Sequence, residues 1–141
     1  MKITRGAYQK LIYDCPPVPP ESGGLLGGRD EVVDTIYFDF APTRTDRLVY
    51  IPDVNSLNAQ LEQWSDCGIE FMGLFHSHPQ NQAGLSSSDE RYVQRIMREM
   101  PLNIEALYFP IVYPGYGMDA FCASRKRDDI VIQKERVCIS L

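Results

Sequence analysis

The 141 residues of the chain include only two histidines, and they stand two apart, at His76 and His78. The segment that carries them, Ile69–His78, is apolar and strand-like. A strand sends alternate side chains to one face, so both imidazoles project together and Ser77 points the other way. Imidazole nitrogen suits a borderline-soft cation, and two of them on a rigid strand are a good start for a zinc site. Taken alone, the pair is weak evidence, because an i, i+2 pair of histidines is more often structural or incidental. Asp89 shifts the balance. It lies four residues before Val93 in a helical stretch, and therefore on the inward face of that helix. An inward carboxylate is costly unless it is paired, hydrogen-bonded or bound to a metal. An acid in a first turn also favours the helix dipole, which is the plainer account of Asp89, but the dipole does not require the inward facing. Two imidazoles and a carboxylate leave a fourth tetrahedral position for water, the arrangement of a catalytic rather than a structural zinc.

Ser86 stands just before the same helix. Its hydroxyl reads either as an N-cap or as a donor beside the metal, aimed at a developing oxyanion. The glycine-rich stretch Gly23–Gly28 is not followed by Gly-Lys-Ser/Thr, so close backbone packing explains it better than phosphate binding.

These groups need a scaffold. Ile3–Asp14 reads as a short helix ended by the prolines of Cys15–Pro20. Leu25 and Leu26 suggest a short strand, Glu31–Phe40 a longer one rich in β-branched and aromatic residues, and Leu48–Ile51 another. Asn55–Asp66 has Leu57, Leu61 and Trp64 at helical spacing, with Cys67-Gly68 as its stop. Ser87–Met100 is a helix in which Ser87 and Glu90 form the pattern of a capping box. Strands over Ala106–Tyr113, Met118–Ser124 and Ile130–Ile139 complete the chain. The expected fold is α/β of the α+β kind, with one mixed sheet of about six strands flanked by two to three helices. Residues 1–141 are expected to form a single domain.

Composition narrows the function classes. The apolar fraction of 44% supports one ordinary core. A net charge of -5 argues against a nucleic-acid-binding face. Met1–Tyr13 has no apolar signal core, and no apolar run approaches a membrane span of about 18–20 residues, so the expectation is a soluble cytoplasmic protein. Cys15, Cys67, Cys122 and Cys138 show no Cys-x-x-Cys spacing and read as reduced thiols.

Gly73-Leu-Phe-His76-Ser77-His78-Pro79, six further residues, then Ser86-x-x-Asp89 resembles the signature of the JAMM/MPN+ zinc metallopeptidases. Upstream, Glu21-Ser-Gly-Gly24 is similar to that family's Glu-x-x-Gly segment. The resemblance implies a strongly curved sheet with a layout like that of cytidine deaminases. It implies one catalytic zinc ion held by His76, His78 and Asp89. It assigns Glu21 as general base and then acid, and Ser86 as support for the oxyanion. It further implies hydrolysis of a peptide or isopeptide bond, after the C-terminal Gly-Gly of a ubiquitin-like or sulfur-carrier protein. Pro101–Glu105 leaves no room for the extra zinc-binding insertion of many deubiquitinating members, so the chain looks like the compact prokaryotic ones. The competing expectation is a non-catalytic MPN-like scaffold. A nucleobase deaminase would need His-x-Glu and Pro-Cys-x-x-Cys, which the chain lacks. An amidohydrolase barrel would need about 250 residues.

Overall fold

Short runs of β-branched and aromatic residues, cut by glycine and proline, give nine strands and three helices among residues 1–39, 50 and 52–140, which are those described in a computed structural model of the chain. In chain order they are β1 (Lys2–Thr4), α1 (Arg5–Tyr13), β2 (Gly23–Arg29), β3 (Val32–Asp39), α2 (Val54–Asp66), β4 (Glu70–Ser77), α3 (Ser87–Glu99), β5 (Ala106–Tyr108), β6 (Ile111–Tyr113), β7 (Gly117–Lys126), β8 (Asp129–Glu135) and β9 (Cys138–Ser140). The expected strand at Leu48–Ile51, apart from Tyr50, and the expected strand end at Phe40 lie outside the described residues.

All nine strands join one mixed sheet in the order β5-β7-β6-β4-β2-β3-β1-β9, with β8 on β7 and β5 also paired to β4. The class is the expected one, but the strand count exceeds six for three local reasons. Lys2–Thr4 is a strand parallel to β3 and β9 rather than the start of the first helix. That helix begins only after Thr4, whose side chain accepts a hydrogen bond from the Ala7 N–H at 3.2 Å. Ala106–Tyr113 is broken into β5 and β6 around Pro110, which has no N–H for a ladder. Ile130–Ile139 is likewise divided into β8 and β9, and β9 crosses to the far edge to pair with β1.

Apolar side chains from alternate positions cover both faces of the sheet. On one face Ala7, Leu11 and Ile12 of α1 pack with Leu26, Val33 and Phe75. On the other, Leu57 and Trp64 of α2 and Val93 and Met97 of α3 pack with Leu25, Leu74 and Leu107. Neighbours such as Leu25 and Leu26, or Leu74 and Phe75, therefore serve opposite cores, as the pleat requires. Burying one such side chain contributes about 1.5–3 kcal/mol, so both faces of β4 are strongly specified. β4 sits centrally, between β2 and the β5–β6 pair, in keeping with its two-sided apolar sequence. Among the described residues no helix is long and apolar enough to cross a membrane.

Candidate metal centre

The antiparallel register of β2 on β4 sets the site. Gly23 pairs with His76, Gly24 with Phe75 and Leu25 with Leu74. One step beyond the ladder, Ser77 N–H donates to the Ser22 carbonyl and Ser22 N–H donates to Ser77 Oγ, both at 2.8 Å. The next step brings Glu21 opposite His78, on the face shared by Gly23, His76, Leu25 and Leu74. That is the face of α2 and α3. Gly23 is required there, because a Cβ would run into the ring of Tyr50 and come 2.7 Å from the Phe75 carbonyl oxygen.

The third element is the start of α3. Ser86 Oγ accepts from Asp89 N–H at 3.1 Å, and Asp89 Oδ2 accepts from Ser86 N–H at 2.9 Å. The capping box is thus Ser86 with Asp89, not Ser87 with Glu90 as the sequence pattern suggests. Both patterns overlap in the chain, and the one that forms puts its carboxylate against the imidazoles. The loop leading into α3 is held to the sheet. Gly84 N–H donates to the Tyr113 hydroxyl, which donates to Asp119 Oδ2, each at 2.8 Å. Gly84 takes a φ of +75°, a conformation that favours glycine.

The side chains converge tightly. His76 Nε2 lies 3.1 Å from His78 Nε2 and 3.1 Å from Asp89 Oδ1, and His78 Nε2 lies 3.3 Å from Asp89 Oδ2. Glu21 Oε2 stands 3.6 Å from His78 Nε2. A tetrahedral zinc with bonds of about 2.0–2.2 Å needs ligand atoms roughly 3.3–3.6 Å apart, and the 3.1–3.3 Å separations here need open only by a few tenths of an ångström to hold one. His78 Nδ1 lies 3.0 Å from the Gln82 carbonyl oxygen. That bond requires the proton on Nδ1 and leaves Nε2 as a lone-pair donor, the usual outer support of a metal-bound imidazole.

The electrostatics also favour a cation. Without a metal, a second proton on Nε2 is favoured by its hydrogen bond to Asp89, which raises the His78 pKa against the opposing effect of burial, with help from the Gln82 carbonyl and the charges of Asp89 and Glu21; a cation at Nε2 would take that proton's place. Burial pushes the Asp89 carboxyl up, but hydrogen bonds from His76, His78 and the Ser86 N–H outweigh it and hold the group well below the ordinary carboxylate range. His76 and His78 are only 9% and 5% exposed.

All five residues singled out from the sequence, Glu21, His76, His78, Ser86 and Asp89, line one cleft of about 600 Å³. Sequence reasoning missed two residues that hold its wall. Tyr50 N–H donates to Glu21 Oε1 at 3.3 Å, and Tyr50 hydroxyl donates to Asp39 Oδ2 at 2.8 Å. Asp39 is 5% exposed, pairs with Gly23 across the sheet, and also accepts from Asp53 N–H at 2.9 Å. The available signal was parity: Asp39 follows Tyr37 by two in an apolar strand, an acid where a core residue was due.

Comparison with known proteins agrees with this architecture. The family of prokaryotic homologues of the JAB domain matches residues 7–123. Among solved structures, a protein from Desulfitobacterium hafniense superposes with a TM-score of 0.65 at 21% identity, covering 99% of this chain and 92% of that one. A JAB1/MPN domain protein from Archaeoglobus fulgidus gives 0.54 at 20% identity, covering 99% and 98%. A protein from Salinibacter ruber gives 0.54 at 20% identity, covering 99% and 92%. At such identities the likeness is one of fold. No curated protein sequence matches the chain.

Proposed function

The chain belongs to the prokaryotic JAB-domain family, and on that footing we propose that it is a zinc-dependent peptidase or isopeptidase cutting after the C-terminal Gly-Gly of a ubiquitin-like or sulfur-carrier protein. The observation that carries this reading is the convergence of His76, His78 and Asp89 within 4.8 Å of one another, with the Glu21 carboxylate 3.6 Å from His78 on the same face. His76, His78 and Asp89 would hold the ion. When bound, zinc supplies a water acidified from 15.7 to about 7 and a Lewis acid for the scissile carbonyl.

The chain's own groups do the rest. Glu21 takes the proton of the attacking water. One of its oxygens is fixed by the Tyr50 N–H, and the other is directed to the centre. As the new C–O bond forms, negative charge moves to the carbonyl oxygen. The Ser86 hydroxyl oxygen already accepts from Asp89 N–H, so its proton is left to donate to that oxyanion. The C–N bond then breaks and Glu21 returns its proton to the leaving amine. A Gly-Gly tail suits the approach, since an extended chain without side chains can lie close to the wall made by Tyr50 and Ser86. The interval between Glu99 and Ala106 is too short for a second metal-binding insertion, in keeping with a compact processing enzyme. Four free cysteines fit a reducing cytoplasm.

The test is elemental analysis of the purified protein together with cleavage of a Gly-Gly-tailed carrier. One zinc per chain with turnover is expected, and Glu21→Gln should keep the zinc and lose the turnover. Zinc without hydrolysis of any extended carrier would favour the non-catalytic scaffold instead.

A further inference from the structure

A second hollow opens on the far side of His78. It holds about 440 Å³ and is walled by Ile12 and Tyr13 at the end of α1, by Val18, by Pro79, and by Pro114 and Tyr116 in the β6–β7 turn. His78 lines both this hollow and the catalytic cleft, so the two meet at the candidate metal centre. Their chemistry differs. The cleft carries Glu21, Asp89 and Arg95, whereas no Asp, Glu, Lys or Arg lines the hollow. Tyr13 and Tyr116 are each 71% exposed, two of the five large hydrophobic residues left exposed on the described surface. Tyrosines combine a large apolar face with a wet hydroxyl, which suits them to contact sites.

The hollow is preformed. Gly115 N–H donates to the Ile12 carbonyl at 2.8 Å, joining the turn to the end of α1, and Tyr116 N–H donates to the Tyr113 carbonyl at 2.9 Å. An occupant therefore need not order this backbone on binding. The two share His78, so a chain that leaves the centre past His78 runs over the hollow. Glycine has no side chain to place in it, so the acyl half, Gly-Gly by the reading above, leaves it unused. On that path an extended chain, advancing about 3.3 Å per residue, carries the first two residues after the bond over the hollow, whose rim begins at His78.

We propose that this hollow is the leaving-side subsite and takes an aromatic or large aliphatic side chain from the first two residues after the scissile bond. The proposal rests on the peptidase reading, and its test keeps the two apart. Zinc-loaded protein is given quenched-fluorescence peptides whose acyl half ends in Gly-Gly, followed by Gly-Gly, Phe-Gly or Gly-Phe. One phenylalanine peptide should exceed the all-glycine peptide by about 10–200-fold in kcat/KM, mostly through KM. That ratio should fall toward one in a Tyr13→Ser, Tyr116→Ser double variant. Cleavage at equal rates, or a preference that survives the double variant, overturns the subsite and leaves the peptidase standing. If no peptide is cut, binding of the same three to Glu21→Gln, followed by NMR, still decides the hollow. Tighter binding of a phenylalanine peptide that is lost in the double variant supports it, and equal binding ends it.

Discussion

Ser86 is asked to do two things, and substitutions can separate them. Its Oγ caps α3 by accepting from Asp89 N–H at 3.1 Å, and its hydroxyl proton is assigned to the oxyanion. Ser86→Ala removes both. Loss of an N-cap costs about 0.5–2 kcal/mol, and because Ser86 is exposed the lower half of that range applies. For a domain of this size about 1 kcal/mol lowers Tm by roughly 3–4 °C. Ser86→Gly is the informative variant, since glycine at an N-cap costs only a few tenths of a kcal/mol yet carries no hydroxyl. The reciprocal bond to Asp89 Oδ2 at 2.9 Å is donated by the backbone N–H of residue 86 and survives in either variant, so Asp89 stays in place. Losing one oxyanion donor costs about 2.7–4 kcal/mol of barrier, or 10²–10³ in kcat. Ser86→Gly should therefore melt within about 1 °C of the parent while turning over about 10²–10³ more slowly. Ser86→Thr, which keeps both the acceptor and the donor, should retain most of both properties. Thermal melts and single-turnover rates on zinc-loaded protein read the two separately. Near-parental turnover in the glycine variant would refute the oxyanion role and leave Ser86 a helix cap.

Three other outcomes follow from the same geometry. Tyr113→Phe leaves Gly84 N–H without its 2.8 Å acceptor and Asp119 without its phenol donor, so urea unfolding should show a loss of about 1–3 kcal/mol; an unchanged midpoint would mean that the loop before α3 is held by other contacts. Burial raises Cys15 from an ordinary 9.0 to about 11, and Tyr92 and Tyr113 from 10.0 to about 12, so all three favour the neutral form in the folded state. Their contribution is full below the ordinary values and is lost as pH climbs from 9.0 toward 12, so the urea midpoint should fall across that window, and a flat profile to pH 11 would contradict the burial. The Tyr92 hydroxyl is buried without a hydrogen-bond partner among the described residues, so Tyr92→Phe should be neutral or stabilising by about 1 kcal/mol, and a clear loss would reveal a partner.

Much of the site was readable from local spacing. The i, i+2 histidines on an apolar strand had to share a face, and Asp89, four before Val93, had to turn inward; both follow from the covalent geometry of strands and helices. Where the reading failed, a local pattern had two solutions or a long-range partner decided. Lys2–Thr4 is too short for its β-branched Ile3 and Thr4 to mark a strand, and pairing with β3 and β9 makes it one. Ser86 and Ser87 each stand three residues before an acid, and only the contact of Asp89 with the imidazoles selects Ser86 as the cap. Asp39 was passed over because its partners, Tyr50 and the Asp53 N–H, come from beyond the strand that contains it.

Residue chemistry and periodicity thus determined which groups exist and which way each element turns them, since those depend only on neighbours a few bonds away. The meeting of Glu21 with His78 across 57 positions, the approach of Asp89 to both rings, and the hollow between the end of α1 and the β6–β7 turn were decided by tertiary structure alone. The reason is register. The two-sided burial of Leu25 and Leu26 against Leu74 and Phe75 permits one alignment of β2 on β4, and a slip by a single residue would send the carboxylate to the opposite face of the sheet.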